Sequence, residues 1–189
     1  MSLKIFQHPL SYVQRLESRC TDIIKLVVIH CTELPDLTSA RQWGEKVTYS
    51  ESQTGNSGHF YIDRDGSIEE WVPITRIAHH VRRFNTQSIG IELVYNGRYP
   101  NWFHSGHQQM KEEYPGAQIK ALCDLLEHLV TLLPGLEEIT GHENLDTDML
   151  SSKDSAEIMI RRKLDPGPCF PWQTILDNTP LKQRTAKDQ

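Results

Sequence analysis

The chain has few cysteines and no cysteine pairing motif. Its four cysteines, Cys20, Cys31, Cys123 and Cys169, show no C-x-x-C spacing along 189 residues, which argues against a zinc knuckle and against a redox pair. Because no export signal is recognisable, the simplest interpretation is four free thiols in a reducing cytosol. Two disulfides are the alternative if the chain is exported by another route.

Long apolar runs and an excess of positive charge are also absent. No run approaches the ~20 apolar residues of a membrane span. The mixed, charged N-terminus has no apolar segment of the kind found in secretory signals. The formal net charge is −5 with 25 acidic residues, which argues against non-specific binding to nucleic acid. We therefore expect a cytoplasmic protein that neither inserts into a membrane nor binds nucleic acid.

The pattern of apolar residues predicts an α/β domain. The predicted strands cover residues 26–29, 59–62, 67–72, 89–93 and 138–140. The predicted helices cover residues 37–47 and 117–133, the second with the strongest amphipathic spacing in the chain. Strands that alternate with helices indicate a single domain with a central mixed β-sheet flanked by α-helices.

Several segments lie outside this regular pattern. The predicted division is an N-terminal extension at 1–24, the domain proper at 25–176 and a polar, frayed C-terminal tail at 177–189. Within the extension, Ser11 is predicted to cap a short helix on the domain surface. Residues 95–116 are predicted to be an irregular excursion, and residues 146–162 a polar segment with a helix start at residues 151–154.

The most informative segment is Lys163-Leu164-Asp165-Pro166-Gly167-Pro168. The two prolines each fix their own φ and bias the preceding residue away from helix. Asp165 is therefore predicted to be extended, so that Lys163 and Asp165 point to the same side. A carboxylate beside an ammonium group on stiff backbone suits a metal-assisted hydrolytic site, although charged residues beside prolines are common in ordinary loops.

Two histidines provide possible partners for Asp165. His30 and His142 each close a predicted strand, and strand ends are where ligands usually bind in such sheets. Two imidazoles and one carboxylate with an open fourth position form a catalytic zinc arrangement. Taken alone, each histidine is better explained as a hydrogen-bonded core or surface residue. The zinc hypothesis therefore requires that the fold bring all three side chains together.

Glu92 interrupts an otherwise apolar predicted strand. In residues 88–93 the apolar side chains share one face, which puts Glu92 with Ser88 and Gly90 on the other. An edge strand with one solvated face would explain this pattern. However, Gly90 removes side-chain bulk beside the carboxylate, as a substrate cleft requires. Near a metal, Glu92 would orient the attacking water or accept its proton.

Six short motifs occur in the order found in zinc-dependent N-acetylmuramoyl-L-alanine amidases. They are Val28-Ile29-His30-Cys31-Thr32, His59-Phe60-Tyr61-Ile62-Asp63-Arg64-Asp65-Gly66, Ala78-His79-His80, Ser88-Ile89-Gly90-Ile91-Glu92-Leu93, Gly141-His142-Glu143 and Lys163-Leu164-Asp165-Pro166-Gly167-Pro168. Over residues 25–176 the chain resembles this family, which includes phage lysozyme-type amidases, bacterial muropeptide-recycling amidases and animal peptidoglycan-recognition proteins.

The resemblance implies a fold, a cofactor and a reaction. The fold would be that of the amidases and peptidoglycan-recognition proteins. One Zn²⁺ per chain would be held by His30, His142 and Asp165. The enzyme would hydrolyse the lactyl-amide bond between N-acetylmuramic acid and L-alanine in muropeptides, in cell-wall recycling.

The resemblance also assigns roles to other residues. Lys163 would stabilise the oxyanion of the tetrahedral intermediate. His80 matches the family's substrate-contacting histidine, and Asn85 matches an asparagine in the following loop. Arg83 replaces a frequent glycine and would contact a peptide carboxylate.

Besides Arg83, the chain departs from the family at three places. Gly58 stands where many members carry a catalytic tyrosine, whereas Glu92 is typical of the cytosolic recycling branch, which acts on 1,6-anhydro-muropeptides. His79 replaces the usual tryptophan that stacks on sugar, which leaves the preference for an anhydro sugar open. Residues 146–162 are longer than in compact members, and this insertion would shape or cover the cleft.

Two other functions compete with zinc hydrolysis. The first is a non-catalytic module that binds muropeptides. Such receptors typically lose metal ligands, and this chain keeps every candidate. The second is a cysteine hydrolase that pairs Cys31 with His30. Adjacent residues of one strand point to opposite faces, so alternation argues against that pairing.

Overall fold

A seven-stranded mixed sheet forms the centre of the protein, which a computed structural model describes over residues 3–186. The strands are β1 (Ile5–Gln7), β2 (Leu26–Cys31), β3 (Phe60–Ile62), β4 (Ile68–Glu70), β5 (Ser88–Leu93), β6 (Glu138–Gly141), β7 (Met149–Ser151), β8 (Met159–Arg161) and β9 (Lys182–Gln183). The α-helices are α1 (Leu37–Gly44), α2 (Gly116–Leu132), α3 (His142–Leu145) and α4 (Trp172–Asp177). Short 3₁₀ turns cover Val13–Arg15, Thr21–Ile23, Asn85–Gln87 and Ser105–His107.

The sheet has the strand order β1-β4-β3-β5-β2-β6-β9. Among the described strands of this sheet, only β3 and β4 pair in antiparallel fashion, and the other neighbouring pairs are parallel. The predicted fold class, a mixed sheet flanked by helices, is confirmed. Over residues 3–186, none of the helices combines the length and apolar character needed to cross a bilayer.

The main core lies between α2 and one face of the sheet. The leucine stripe of α2 (Leu122, Leu125, Leu126 and Leu129) packs against side chains of the two central strands. Because side chains alternate along a strand, Val27 and Ile29 of β2 enter this core. Val28, between them, contributes to a separate small cluster. His30 shares the face of Val28, so the same alternation that builds the core directs His30 away from α2.

The segment at residues 146–162 corrects one prediction. It contains no helix start, because β7 and β8 pair as an antiparallel hairpin. At its turn the Ser152 hydroxyl donates to the Ser155 carbonyl (2.8 Å) and accepts from the Ser155 N–H (3.2 Å). Serine and aspartate form such side-chain-to-backbone turns as readily as helix caps. The polar cluster at 151–154 therefore marks a hairpin turn.

Both flanking segments join the central sheet. At the N-terminal side β1 forms the edge next to β4. Ser11 caps no helix, since its N–H and hydroxyl both donate to the Glu45 carboxylate. At the other end β9 pairs with β6, so residues 182–183 are not frayed as predicted. The last three residues of the predicted frayed end, 187–189, lie outside the described residues.

Arg19 is a buried arginine of the N-terminal segment. Its guanidinium donates to four backbone carbonyls at 2.7–3.1 Å, those of Ile74, Asn85, Thr86 and Ser88. Burial lowers the pKa of Arg19 to about 10. Arg19 thus connects the N-terminal segment to the long loop between β4 and β5 and to the first residue of β5.

We expect Arg19→Met to lower the free energy of unfolding by about 3 kcal/mol, since hydrogen bonds to charged groups are lost and buried carbonyls remain unpaired. Urea unfolding of the variant and the wild type measures this difference. Arg15→Met is the matched control, because the Arg15 guanidinium contacts one exposed carbonyl, that of Gln53. Equal unfolding midpoints for the two variants would show that Arg19 does not brace the loop.

Candidate active site

The parallel register of β2 and β5 sets the positions of two site residues. His30 of β2 lies directly opposite Glu92 of β5, on the sheet face away from α2. The Oε1 atom of Glu92 is 3.9 Å from Nδ1 of His30. Alternation along two neighbouring strands therefore brings a carboxylate and an imidazole together without any contribution from a loop.

A close backbone contact at the end of β6 positions the third and fourth residues of the site, His142 and Asp165. His142 is the first residue of α3, immediately after Gly141. A Cβ atom on Gly141 would lie only 2.7 Å from Cδ of Pro166. A residue without a side chain is therefore needed for the end of β6 to approach the proline that follows Asp165.

The fold brings together His30, His142 and Asp165, the three predicted ligands. The Nδ1 atoms of both histidines lie 3.0 Å from Oδ2 of Asp165. One possible ligand atom from each residue falls within a distance of 4.8 Å of the others, and all three residues are buried. Two imidazole nitrogens and one carboxylate oxygen that converge in this way can hold a divalent metal ion.

The electrostatics of Asp165 fit a cation at this position. Burial favours the neutral acid, but the charges of His142 and Lys163 and hydrogen bonds from both imidazoles outweigh it and hold the pKa of Asp165 well below its usual range. Its second oxygen, Oδ1, is buried and has no hydrogen-bond partner among the described residues. An unpaired buried carboxylate oxygen is costly, and a bound cation would compensate it.

Glu92 is a carboxylate with raised proton affinity. Its side chain is only 15% exposed, and burial, assisted by the charge of Asp165, raises its pKa against the opposing effect of His30 and Lys163. A Cβ atom on Gly58 would lie 2.9 Å from Cγ of Glu92. Glycine at position 58 thus provides the space in which the Glu92 side chain lies.

Gly90 serves a different purpose from the predicted one. We expected its missing side chain to leave room for substrate beside Glu92. A Cβ atom there would instead lie 2.6 Å from both Cγ and Nδ1 of His80. The space beside Gly90 is therefore occupied by an imidazole of the protein, and the cleft interpretation of Gly90 is wrong.

One cavity of about 720 Å³ contains the whole cluster. The predicted site residues that line it are His30, His80, Asn85, Glu92, His142, Lys163 and Asp165. Lys163 and Asp165 thus face the same space, as the proline-rich segment predicted. The volume lies within the range of roughly 300–1,000 Å³ that is usual for ligand sites.

Two of the three predicted substrate contacts, Asn85 and Arg83, differ in their position relative to the cavity. Asn85 lines the cavity, but its Oδ1 already accepts hydrogen bonds from the backbone N–H groups of His80 (3.0 Å) and Val81 (2.8 Å). Arg83 is not among the lining residues. It is exposed, with φ at 69°, and the neighbouring Arg82 lines the cavity instead. The backbone turn at these residues therefore places Arg82, and not the predicted Arg83, at the wall of the cavity.

Three aromatic residues of the cavity wall, of which Trp43 and Tyr49 are exposed and Trp102 is half-buried, carried no clear sequence signal. Trp43 is 51% exposed and lines the cavity together with Tyr49 and Trp102. Trp43 shares the helical spacing of residues 37–47, which predicts a residue packed in the core. The residues of α1 that are buried are instead Ala40 and Gly44, so Trp43 lies on a side of the helix that the core does not cover.

Arg98 is a second feature that sequence reasoning missed. It is 1% exposed, and its Nε and Nη2 atoms donate to the two carboxylate oxygens of Glu33 at 2.7 and 2.8 Å. The same guanidinium donates to the carbonyls of Arg161 and Arg162 at 3.1 and 3.2 Å. It therefore ties the irregular excursion at 95–116 to the backbone immediately before Lys163.

The cysteine hydrolase hypothesis has no support in this geometry. The four cysteines are free thiols, as predicted. Cys31 packs in the core cluster on the α2 side of the sheet, whereas His30 belongs to the opposite face. Burial raises the pKa of the Cys31 thiol well above its usual range, which makes it a poor nucleophile.

Comparison with known sequences identifies one family. A family model described as N-acetylmuramoyl-L-alanine amidase matches residues 21–168. The 1,6-anhydro-N-acetylmuramyl-L-alanine amidase AmpD of Salmonella typhimurium is 31% identical over 125 residues, which cover 61% of this chain and 53% of AmpD. The N-acetylmuramoyl-L-alanine amidase AmiD of Escherichia coli is 29% identical over 170 residues, 80% of this chain and 52% of AmiD. The chain spans about half the length of these curated relatives.

Solved structures share the fold at low sequence identity. The N-acetylmuramoyl-L-alanine amidase LysC from Clostridium intestinale superposes with a TM-score of 0.70 at 19% identity, over 96% of this chain and 100% of LysC. AmiD from E. coli, solved with anhydro-N-acetylmuramic acid-L-Ala-D-gamma-Glu-L-Lys, gives a TM-score of 0.62 at 24% identity, over 82% of this chain and 57% of the AmiD chain.

Proposed function

Because this chain belongs to the N-acetylmuramoyl-L-alanine amidase family, we propose that it hydrolyses the amide bond between the lactyl group of N-acetylmuramic acid and L-alanine in muropeptides. The observation that carries this proposal is the convergence of two imidazoles and a carboxylate beside Glu92 in one cavity. The relatives AmpD and AmiD are both named as amidases that act on N-acetylmuramyl-L-alanine. A role in cell-wall recycling and a cytoplasmic location stay predictions.

The proposed cofactor is one Zn²⁺ per chain, held by Nδ1 of His30, Nδ1 of His142 and Oδ2 of Asp165. The donor types and the unpaired Oδ1 of Asp165 fit such an ion. When bound, zinc would supply Lewis-acid activation of the amide carbonyl and of water.

Glu92 is proposed as the general base. Its carboxylate is close to the metal ligand His30, and its raised pKa makes it a better proton acceptor than an ordinary glutamate. It removes a proton from the attacking water as the new C–O bond forms. The same proton then passes to the L-alanine nitrogen as the C–N bond breaks, which gives a lactyl carboxylic acid and an amine. The proton of the acid then passes to the amine, so the products leave as a carboxylate and an ammonium group.

Lys163 is proposed to stabilise the negative charge on the former carbonyl oxygen. Its ammonium group faces the cavity and acts electrostatically on Asp165, Glu92 and His142. A fixed positive charge in a site of limited water access favours the oxyanion over the neutral carbonyl.

The experiment that tests the function uses a synthetic N-acetylmuramoyl-tripeptide and the purified protein. Mass spectrometry should find free tripeptide and N-acetylmuramic acid, and a chelator should abolish turnover until Zn²⁺ is restored. A zinc-loaded protein that binds the substrate measurably but leaves it intact would favour the alternative, a non-catalytic muropeptide-binding module.

We expect Lys163→Met to keep zinc and to lose about 10²-fold or more in kcat, as is typical when an oxyanion donor is removed. Steady-state kinetics and zinc content check both parts. Lys153→Met is the matched control, since Lys153 lies in the hairpin turn and does not line the cavity. If kcat is unchanged in the Lys163 variant, the lysine has a structural role only.

A further inference from the structure

His80 lies between the candidate ligand His30 and the buried Ser88. Its Nδ1 atom is 3.0 Å from Nε2 of His30, and its Nε2 atom is 3.2 Å from the Ser88 hydroxyl. That hydroxyl donates a hydrogen bond of 2.8 Å to the carbonyl of Phe84. Both ring nitrogens of His80 are thus engaged by protein groups.

The positions of the protons in this series of hydrogen bonds follow from the groups at its two ends, His30 and the Phe84 carbonyl. Nδ1 of His30 points at Oδ2 of Asp165, so a metal held there requires the Nδ1 lone pair and leaves the ring proton on Nε2. That N–H must donate to Nδ1 of His80. The proton of His80 is then on Nε2 and donates to Ser88. The Phe84 carbonyl, which can only accept, ends the chain.

The backbone around His80 is built to hold its ring in this place. A Cβ atom on Gly90 would lie 2.6 Å from two ring atoms of His80, so only glycine leaves room for the imidazole. Asn85 accepts the backbone N–H of His80. Ser88 is fully buried. Three separate residues therefore fix one orientation of the His80 ring.

The second candidate ligand, His142, has no comparable contact among residues 3–186. Nε2 of His142 lies 3.9 Å from the nearest oxygen of Asp146, which is too long for a hydrogen bond. The orientation of His30 is therefore the one that depends on another side chain. A metal-bound histidine usually donates its free ring N–H to such a partner, and losing the partner typically costs 10- to 100-fold in metal affinity or activity.

We infer that His80 is a positioning residue, which fixes the tautomer and ring orientation of His30 through the His30–His80–Ser88 hydrogen bonds, and that it is not primarily a substrate contact. This inference rests on the proposed metal site. It changes the role that the family resemblance implied for His80, from a group that touches muropeptide to one that acts through His30.

The experiment measures the dissociation constant of Zn²⁺ by competition with a chromophoric chelator, without substrate. His80→Phe keeps the ring volume and removes both hydrogen bonds, and we expect it to weaken zinc binding by about 10- to 100-fold. His80→Gln can accept from His30 and donate to Ser88 through its amide, so its zinc affinity should return towards the wild-type value. At saturating zinc, the KM of both variants for the muropeptide should equal that of the wild type.

Two further variants separate this role from other effects. His79→Phe changes the neighbouring histidine, which lines the same cavity and whose described contacts include Tyr49 and Ser57 but not His30, and should leave zinc affinity unchanged. Ser88→Ala removes only the distal hydroxyl and should weaken zinc binding less than His80→Phe does. It also keeps the test valid if the His80→Phe chain does not fold.

The possible contradictions are distinct. Unchanged zinc affinity in His80→Phe and in Ser88→Ala, with a raised KM in the former, would make His80 a substrate contact and overturn the inference while the proposed function stands. Equal losses in His79→Phe and His80→Phe would also overturn it, because the effect would then not depend on the contact to His30. A wild-type protein that hydrolyses muropeptide without binding zinc would remove the metal site and, with it, the inference.

Discussion

We expect Asp165→Ala to abolish the proposed zinc binding and the proposed amide hydrolysis together. The carboxylate is the group on which both imidazoles converge, with Nδ1 atoms at 3.0 Å from its Oδ2. Without it the remaining two nitrogens form an incomplete site. Lewis-acid activation contributes several kcal/mol to such reactions, so kcat/KM should fall at least ~10³-fold.

Zinc content measured by mass spectrometry and hydrolysis measured on the same preparation test this prediction. Asp177→Ala is the control, since Asp177 is exposed at the end of α4, away from the cavity lining. An Asp165→Ala protein that retains one zinc per chain and full turnover would remove Asp165 from the ligand set.

The second large effect is expected for Glu92→Gln. The amide keeps the size of the side chain, so zinc should stay bound, but it cannot accept a proton from water. Removing a general base typically costs 10²–10⁴-fold in rate, and we expect a loss of kcat of about that size.

The raised pKa of Glu92 also predicts how the activity should change with pH. Burial raises the pKa of Glu92 above its usual range, and a general base acts in its deprotonated form. Activity of the wild type should therefore fall as the pH is lowered through this raised pKa. That acid limb should be absent from the residual activity of Glu92→Gln.

A neighbouring glutamate provides a matched control for this variant. Burial and the charge of Asp165 raise the pKa of Glu143 to about 7, but Glu143 does not line the cavity. Glu143→Gln should leave kcat and the acid limb unchanged. If Glu143→Gln lowers kcat as much as Glu92→Gln does, the loss does not depend on a carboxylate inside the cavity. Glu92 would then not be the specific base.

The sequence could predict those site residues whose orientation follows from the alternation of side chains along a strand. Apolar residues at every second position of β2 and β5 determine which face enters the core, and this assigns His30 and Glu92 to the other face. The two prolines beside Asp165 indicated a stiff segment that faces the same space as Lys163. Each inference used only near neighbours in the chain.

The parts that depend on tertiary contacts could not be predicted in the same way. Gly90 and His80 are ten positions apart and meet only because the loop before β5 folds back over the strand. The role of Arg98 depends on Glu33 and on the end of β8, which no local pattern connects. The hairpin at 149–161 was missed because serine and aspartate serve turns and helix caps alike.

Gly58 shows how the structure explains a departure from the family pattern. Many members of the family that the chain resembles carry a tyrosine at this point. Here even a Cβ atom would lie 2.9 Å from Cγ of Glu92. A larger residue at position 58 would therefore clash with the observed Glu92 side chain. The space that a tyrosine would need at position 58 is occupied here by Glu92.

X-ray absorption at the zinc edge of the purified, zinc-loaded protein is the most direct test of the metal centre. We expect one zinc per chain with two imidazole nitrogens and one carboxylate oxygen, at Zn–N distances of about 2.0–2.1 Å, and a light-atom ligand from solvent in the remaining position. A spectrum with a sulfur ligand, with a third imidazole, or with no bound zinc at all would contradict the site formed by His30, His142 and Asp165.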